Sequence, residues 1–242
     1  MKLNRNTKDD GLDVSPTIAN AGLGAVSSVV YNEDCVEGLK RFSDNHFDLA
    51  IVDPPYGIDD KLYRSSHGKN KNSAIAKHYK KENRWDIQPT KEYWEQLFRV
   101  SKNQIVWGGN YFTKNLPESR GWLCWDKVRP AGNSFSDFEL AWMSFDTMPK
   151  MFRFCANGGF IATPQNRYKI HPTQKVVELY DFILTNYSKE GDFILDTHVG
   201  SGSSRISCHK AGLSYVGFEI DKDYYEAQEK RFKDFVSQLR MF

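Results

Sequence analysis

The feature of this sequence that most constrains its fold is a short apolar run that ends at an acid, two prolines and a tyrosine. The apolar run is Leu49-Ala50-Ile51-Val52, and four such residues in succession are typical of a strand buried on both faces of a parallel sheet. Pro54 and Pro55 then fix φ and remove two backbone donors, so the chain leaves the sheet in an extended conformation. The pattern predicts that Asp53 and Tyr56 lie at the carboxyl end of a strand, where open α/β sheets bind ligands. A simple turn is the alternative interpretation of these residues taken alone.

Six further apolar runs can be read as strands, and helical patterns separate several of them. The seven candidate strands are residues 29–31, 47–52, 104–107, 122–125, 138–143, 193–196 and 215–218. Thr90 is a candidate helix N-cap, and apolar residues recur with a helical period from Thr173 onward. Strands that alternate with helices predict an α/β fold with a doubly wound, mostly parallel, seven-stranded sheet of the Rossmann-like kind. Residues 153–168 show no period and are expected to be irregular.

The length and composition favour one soluble, cytoplasmic domain with no membrane partner. Residues 1–28 are polar and aperiodic, which predicts a flexible N-terminal arm ahead of a single domain at residues 29–242. The net charge of +2 excludes a general electrostatic attraction to nucleic acid, so any such contact must come from local clusters. The four cysteines are scattered without C-x-x-C spacing, which argues against a zinc site and against a disulfide framework. No apolar stretch of 18 residues occurs.

One local cluster of positive charge follows the tetrad. Between Lys61 and Arg84, eight Lys and Arg side chains face the single acid Glu82, and no hydrophobic period is visible. The composition predicts a basic loop insertion at about residues 57–89. Lys80, Lys81 and Arg84 are the candidates for phosphate contacts in this loop, with a merely solvated loop as the alternative.

A second strand end has the pattern of a nucleoside-binding site. The run 193–196 ends at Asp196, a turn containing Gly200 and Gly202 follows, and Glu219 ends the next strand 23 residues after Asp196. Glycines let the backbone approach a ligand closely, and a carboxylate at about this distance along the chain bonds ribose hydroxyls in Rossmann-type sites. The turn lacks the full dinucleotide pattern and a Walker lysine, so a nucleoside without phosphates, such as S-adenosylmethionine, fits best. An ordinary glycine-rich crossover is the alternative.

With both strand ends in one chain, the sequence resembles the β class of amino-group DNA methyltransferases. The matching segments are Asp53-Pro54-Pro55-Tyr56, His171-Pro172-Thr173-Gln174-Lys175, the turn after Asp196, and Gly217-Phe218-Glu219-Ile220-Asp221. Asn32-Glu33-Asp34-Cys35 is similar to the acidic turn that reads the adenine of the cofactor in that family. The tetrad comes first and the glycine turn last, which is the circularly permuted motif order of that class. The resemblance implies the fold of S-adenosylmethionine-dependent methyltransferases.

The resemblance also implies roles for individual residues. Asp53 and the Pro54 carbonyl are expected to accept hydrogen bonds from the target amine, while Pro55 and Tyr56 complete the catalytic tetrad. Tyr56 would offer a face to a base that has left the DNA stack. The residues expected to bind S-adenosylmethionine are Asp34, Thr173, Lys175, Asp196, Gly200, Gly202 and Glu219. For Lys175, an ordinary solvated helix residue is the alternative, and no metal ion is expected.

The implied reaction is methylation of adenine N6 in double-stranded DNA. Cytosine N4 is the closest alternative, and Asp53 favours adenine because cytosine-N4 enzymes commonly have Ser at this position. Related RNA and protein-glutamine methyltransferases usually have Asn there, and the absence of a Pro-Cys pair argues against cytosine C5. A homodimer and a companion endonuclease are further candidate partners that the sequence does not decide.

Two departures from the family pattern leave another alternative open. Thr197 and His198 stand where the family usually has Pro followed by Phe or Tyr. His198 is interpreted either as a packed aromatic ring or as a titratable neighbour of the cofactor. If the two residues block the cofactor, the chain is a catalytically inactive DNA-binding relative. The chain also lacks a large separate target-recognition domain, so only the loops between Tyr56 and His171 are available to select a DNA sequence.

Overall fold

The computed structural model describes residues 26–58, 86–128, 136–155 and 169–239, and in this part of the chain eight strands form one sheet. The strands are β1 (Ser28–Tyr31), β2 (Phe47–Val52), β3 (Ser101–Trp107), β4 (Trp122–Asp126), β5 (Phe138–Met143), β6 (Lys150–Arg153), β7 (Phe193–Asp196) and β8 (Ser214–Phe218). Their order across the sheet is β1-β8-β7-β2-β3-β5-β4-β6. β5 runs antiparallel to its neighbours β3 and β4, and the other pairings are parallel. The predicted α/β fold with a mostly parallel sheet is confirmed.

Helices cover both faces of this sheet. They are α1 (Cys35–Leu39), α2 (Lys91–Val100), α3 (Val177–Tyr187), α4 (Ser203–Lys210) and α5 (Lys222–Leu239). α1 and α2 contribute to the core on one face, and α3 and α4 contribute to the core on the other. The predicted cap of α2 is present, because the Thr90 hydroxyl accepts a hydrogen bond from the Tyr93 backbone N–H at 3.3 Å.

β2 is buried on both faces, as its apolar run predicts. Leu49 and Ile51 pack in the core beneath α3, whereas Ala50 and Val52 pack in the core beneath α1 and α2. Each of these four side chains is at most 1% exposed. The strand is therefore held firmly from both sides, and the tetrad that follows it leaves the sheet from a rigid base.

The prediction of seven strands is wrong by one, since the sheet also contains β6 at its outer edge. β6 pairs with β4 alone among the described strands, and Arg153, which we expected in an irregular stretch, is its last residue. Its side chains are mostly exposed, with Met151 at 56%. An exposed edge strand of four residues has neither a buried apolar run nor an alternation, so its sequence carries little strand signal. Tertiary pairing decides that it is a strand.

Two expected boundaries also differ from the structure. The N-terminal arm was expected to end at residue 28, but Ser28 already begins β1 and the Ser27 carbonyl accepts a hydrogen bond from Tyr215 N at 2.7 Å. The helix expected from Thr173 begins at Val177, because residues before it form a turn in which Gln174 N donates to His171 O at 3.2 Å. Within the described ranges, no helix is long and apolar enough to cross a membrane.

Candidate active site

The candidate active site lies at the carboxyl ends of β2, β7 and β8, which are neighbours in the sheet. Ala50 is in register with Leu195 of β7, and Asp196 is in register with Gly217 of β8. The tetrad and the glycine turn therefore emerge side by side, at the edge where such sheets bind ligands. Between them lies a cleft that opens to solvent. The predicted site residues that line it are Asp53, Pro54, Pro55, Tyr56, Thr173, Lys175, Gly200 and Glu219.

The Asp53 carboxylate is held at both oxygens. Tyr56 donates its hydroxyl hydrogen to Oδ1 at 2.7 Å, and Lys175 Nζ forms a short ion pair with Oδ2. Burial, and then the charges of Asp53 and Glu139, raise the pKa of Tyr56 well above its usual value, so its hydroxyl stays protonated and remains a donor. These two contacts fix the plane of the carboxylate, which still has acceptor positions available on both oxygens.

The ring of Tyr56 is packed against the segment after β3. It stacks on Tyr111 with ring centroids 4.9 Å apart and planes 18° apart, and Phe112 lies against it edge-on at 6.1 Å. Gly108 lies beneath the ring, where a Cβ atom would come within 2.2 Å of the Tyr56 Cε1 atom. Gly108 also has a φ of +69°, a left-handed conformation that favours glycine. The tetrad is thus supported by its neighbours as well as by its prolines.

Lys175 is buried, and the solvated alternative for this residue is wrong. Besides Asp53, its ammonium has a second carboxylate partner, Glu139 Oε2, at 3.2 Å. Burial acts to lower the pKa of Lys175, but the charges of Asp53 and Glu139 outweigh it and raise the pKa above its ordinary value. Its side chain is only 4% exposed. The structure therefore places Lys175 against Asp53, whereas the sequence predicted it at the cofactor.

Glu139 is a residue of the site that the sequence motifs missed. It lies on β5, lines the cleft, and pairs with Lys127 as well as with Lys175. Burial acts to raise the pKa of Glu139, but the charges of Lys175 and Lys127 lower it to about 2, so the side chain is ionised. The available signal was an acid within the otherwise apolar run of residues 138–143.

Asp196 and Gly202 support the glycine turn without lining the cleft. The Asp196 carboxylate is buried, and it accepts hydrogen bonds from Ser204 Oγ at 2.6 Å and from His198 N at 3.0 Å. Burial raises the pKa of Asp196 to about 6. Gly202 is the N-cap of α4 with a φ of +74°, and a Cβ atom there would lie 3.3 Å from Gln228. Both residues shape the turn, and Gly200 is the predicted glycine that reaches the cleft wall.

Glu219 presents a buried carboxylate at the end of β8. Gly200 N donates to its Oε2 at 2.8 Å, and Asp221 N donates to its Oε1 at 2.9 Å. Burial raises the pKa of Glu219 to about 7. Within the described ranges, no Lys or Arg forms an ion pair with it. A carboxylate with only backbone donors retains acceptor positions, which suits the ribose hydroxyls of S-adenosylmethionine.

Asp34 lies in the turn before α1. Asp34 is exposed and caps α1, accepting from Val36 N at 2.8 Å and from Glu37 N at 3.2 Å through Oδ1. Its turn is tied to the end of β8, because Asn32 Nδ2 donates to the Glu219 backbone carbonyl at 2.8 Å. Asp34 itself does not reach the cleft wall.

Thr173 is held by the histidine of its own motif. The Thr173 hydroxyl lies 3.1 Å from His171 Nδ1, and the His171 ring contacts Tyr224 edge-on, with centroids 4.4 Å apart. Burial, and then the positive charge of Lys175, lower the pKa of His171 to about 4. The neutral ring and Tyr224 both line the cleft.

His198 packs edge-on against Tyr93 and also lines the cleft, and its role toward the cofactor stays a prediction. Burial lowers the pKa of His198 to about 4. Its Nδ1 lies 2.9 Å from the Thr197 hydroxyl, which in turn lies 2.8 Å from the Tyr93 hydroxyl. The Tyr93 ring contacts His198 edge-on at 5.5 Å. Thr197 and His198 therefore fill the place of the usual Pro-Phe pair with a hydrogen-bonded aromatic contact.

The predicted phosphate contacts Lys80, Lys81 and Arg84 lie outside the described residues. The two ends of the predicted basic loop are nevertheless joined. Asp86 accepts from Gly57 N at 2.8 Å and from Ile58 N at 2.6 Å. Among the described residues, no group of three or more His, Cys, Asp or Glu side chains has a geometry suited to a metal ion.

The chain is similar to known DNA methyltransferases. A family model described as DNA methylase matches residues 65–230, which begin after the tetrad. The type II methyltransferase M.HpaI of Haemophilus parainfluenzae is 27% identical over 239 residues, covering 82% of this chain and 72% of the relative. The type II methyltransferase M2.MboI of Moraxella bovis is 23% identical, with 87% and 89% covered.

Solved structures show the same fold. The M1.HpyAVI–SAM complex aligns with a TM-score of 0.55 and 16% identity, covering 84% of this chain and 98% of the other. The PvuII DNA methyltransferase, described as cytosine-N4-specific, aligns with a TM-score of 0.57 and 13% identity, covering 88% and 91%. Since the family model spans more than half of the 242 residues, the chain belongs to the N6/N4 DNA methylase family.

Proposed function

We propose that this protein transfers a methyl group from S-adenosylmethionine to the N6 amine of adenine in double-stranded DNA. The observation that carries the proposal is the position of Asp53 and Pro54 in the same cleft as Gly200 and Glu219. One side of the cleft offers acceptors for an amine, and the other offers an acceptor for ribose hydroxyls. The DNA methylase family supplies the reaction class.

The tetrad suits an exocyclic amine because such a nitrogen is a weak nucleophile. Its lone pair is delocalised into the base, and hydrogen bonds from its two N–H groups to Asp53 and to the Pro54 carbonyl would localise that pair. Bound S-adenosylmethionine supplies the methyl group, activated by its sulfonium charge. The contribution of the protein is then positioning and electrostatics, with no covalent intermediate on a side chain.

The cofactor half would be formed by Glu219, Gly200 and Thr173. Glu219 would accept from the ribose hydroxyls, and the φ of +52° at Gly200 keeps a turn without a side chain at the cleft wall. Asp34 remains the candidate for the adenine amine of the cofactor, since its turn is bonded to the Glu219 carbonyl. Asp196 and Gly202 would act indirectly, by holding the turn in place.

Adenine rather than cytosine is proposed because the first residue of the tetrad is Asp53. Methylation of cytosine N4 is the second candidate, since the fold is shared with a protein described as specific for that base. Lys80, Lys81 and Arg84 remain proposed phosphate contacts, and a homodimer, a companion endonuclease and a cytoplasmic location remain predictions.

Product analysis tests the proposal directly. DNA is incubated with the protein and methyl-labelled cofactor, digested to nucleosides and separated by mass. We expect label in N6-methyldeoxyadenosine; label in N4-methyldeoxycytidine would replace the adenine assignment, and no label in either nucleoside would refute the proposed activity. Asp53→Ala should bind cofactor normally in calorimetry but transfer no methyl group. Asp146→Ala is the control, because that exposed acid pairs with Arg120 away from the cleft.

A further inference from the structure

Four side chains of alternating charge form a continuous row that ends at the catalytic acid. They are Lys127 at the end of β4, Glu139 on β5, Lys175 before α3, and Asp53 after β2. Lys127 pairs with Glu139 Oε1, Glu139 Oε2 lies 3.2 Å from Lys175 Nζ, and Lys175 pairs with Asp53 Oδ2. The motifs of the family resemblance account for Asp53 and Lys175 alone, so the outer two residues of the row have no assigned role.

We propose that Glu139 and Lys127 are positioning residues for methyl transfer, which hold the Lys175 ammonium against Asp53 and so aim the Asp53 carboxylate at the target amine. The proposal rests on the proposed function of the cleft and adds two positioning residues to it. Neither residue needs to contact the substrate. Both act through Lys175.

The surroundings of Lys175 explain why it needs a second carboxylate. Its Nζ lies 5.3 Å from the centroid of the buried Trp107 ring, and its side chain is 4% exposed, so water provides little of its solvation. A buried ammonium is costly unless it is paired. When Asp53 accepts hydrogen bonds from a substrate, Glu139 remains as a charged partner of Lys175. Without Glu139, Lys175 would depend on Asp53 alone.

Lys127 fixes the position of Glu139 from the opposite side. Glu139 keeps a side-chain exposure of 26%, but its Oε2 atom is buried and has no well-formed hydrogen bond within the described residues. The contact of Oε2 with Lys175 is therefore an electrostatic one at 3.2 Å, and the Lys127 pair keeps it in place. Lys127 is 12% exposed, and its Nζ lies 5.3 Å from the Trp125 ring centroid. The row is thus anchored on a rigid strand pair, β4 and β5.

These contacts fix the orientation of the Asp53 carboxylate. Lys175 occupies one position on Oδ2 and Tyr56 occupies one position on Oδ1, which leaves acceptor positions on both oxygens. A carboxylate fixed at both oxygens has lost its rotation before the base arrives. Small errors in the placement of reacting groups reduce rates strongly, so a loosened row should slow the chemical step more than it weakens binding.

The test uses the full-length protein and the single-turnover rate of methyl transfer at saturating DNA and cofactor. Glu139→Gln keeps the shape of the side chain and removes its charge; we expect a fall on the order of 100-fold in rate, with cofactor affinity unchanged in calorimetry. Glu229→Gln is the matched control, because Glu229 forms an ion pair with the buried Arg205 outside the cleft, and we expect its rate to stay that of the wild type. Circular dichroism checks that both variants are folded.

A double-mutant cycle shows whether Glu139 acts through Lys175. Lys175→Met combined with Glu139→Gln should be no slower than Lys175→Met alone, because the second change then has nothing left to disturb. Independent losses that multiply would overturn the proposal. So would a Glu139→Gln rate equal to that of the wild type. If the wild type methylates no DNA amine, the proposed function is wrong. That outcome differs from a failure of the positioning role, in which the wild type is active and Glu139→Gln is equally active.

The pH profile gives a readout that a purely structural role would not move. The ionisable groups around Lys175 are Asp53, Glu139, Lys127, Tyr56, Tyr180 and His171. Glu139→Gln removes one of the two charges that raise the pKa of Lys175 against burial. The variant should therefore lose activity on the alkaline side at a lower pH than the wild type. An unchanged alkaline limb would contradict the proposed coupling.

Discussion

Replacing Glu219 with glutamine should make the ligand-free protein less sensitive to alkaline pH while weakening its cofactor site. Burial raises the pKa of Glu219 from 4.5 to about 7, and the residue is 9% exposed. Between these two pH values the folded protein binds a proton that the unfolded chain has lost, so stability falls as the pH rises through that window. Because a tenfold change in an acid constant is worth about 1.4 kcal/mol, ionised Glu219 costs about 3 kcal/mol well above pH 7.

The substitution also has a cost that does not depend on pH. Both oxygens of Glu219 accept backbone N–H groups, from Gly200 and Asp221, and the amide of glutamine leaves one of these donors without an acceptor. An unsatisfied buried donor costs about 1–3 kcal/mol. Comparison at two pH values separates the two effects, because only the ionisation cost changes between them.

Urea unfolding of the wild type and of Glu219→Gln at pH 5.5 and pH 8.5 measures this difference. We expect the variant to gain about 2 kcal/mol relative to the wild type between the two conditions. The shifted pKa values of His171 and His198 affect both proteins alike and cancel in the comparison. A difference in stability that does not change with pH would refute the burial of an ionisable Glu219. Calorimetry should show that cofactor affinity rises with pH in the wild type and stays weak and flat in the variant.

Three further substitutions test the packing around the site. Gly108→Ala should lower the melting temperature more than the control Gly212→Ala, because both have positive φ but only Gly108 would place a Cβ atom 2.2 Å from a ring atom; equal losses would contradict this. Tyr56→Phe removes the 2.7 Å hydrogen bond to the Asp53 carboxylate, so the single-turnover rate should fall by about tenfold with cofactor affinity retained, and an unchanged rate would count against a role of this hydrogen bond in positioning Asp53. Ser204→Ala leaves the buried Asp196 without its 2.6 Å donor and should cost about 1–3 kcal/mol in urea unfolding; a neutral result would mean that the carboxylate is solvated.

Much of the fold was predictable because its signals are local in the chain. The run 47–52 predicts β2 to the residue, since the successive apolar side chains of residues 49–52 are typical of a strand buried on both faces. The cap at Thr90 and the glycine turn after Asp196 were likewise readable from short patterns. β6 was missed because an exposed edge strand needs no apolar pattern, and pairing with β4 alone makes it a strand.

Part of the candidate site could likewise be predicted from the sequence alone, and part could not. The sequence by itself determined the tetrad from Asp53 to Tyr56 and the glycine turn after Asp196, because prolines and glycines restrict the backbone wherever they stand. It also placed each at a strand end, which implies a shared edge of the sheet.

Only the tertiary structure decided which charged groups meet. Lys175 lies 122 positions after Asp53, yet their side chains form a buried ion pair, and Glu139 joins them from an antiparallel strand that carries no recognised motif. The tertiary structure also decided that Asp196 holds the turn by accepting a hydrogen bond from His198 N, whereas Gly200 and Glu219 line the cleft. The physical reason is that backbone restrictions act between neighbours along the chain, whereas burial and ion pairing depend on which strands the sheet order brings together.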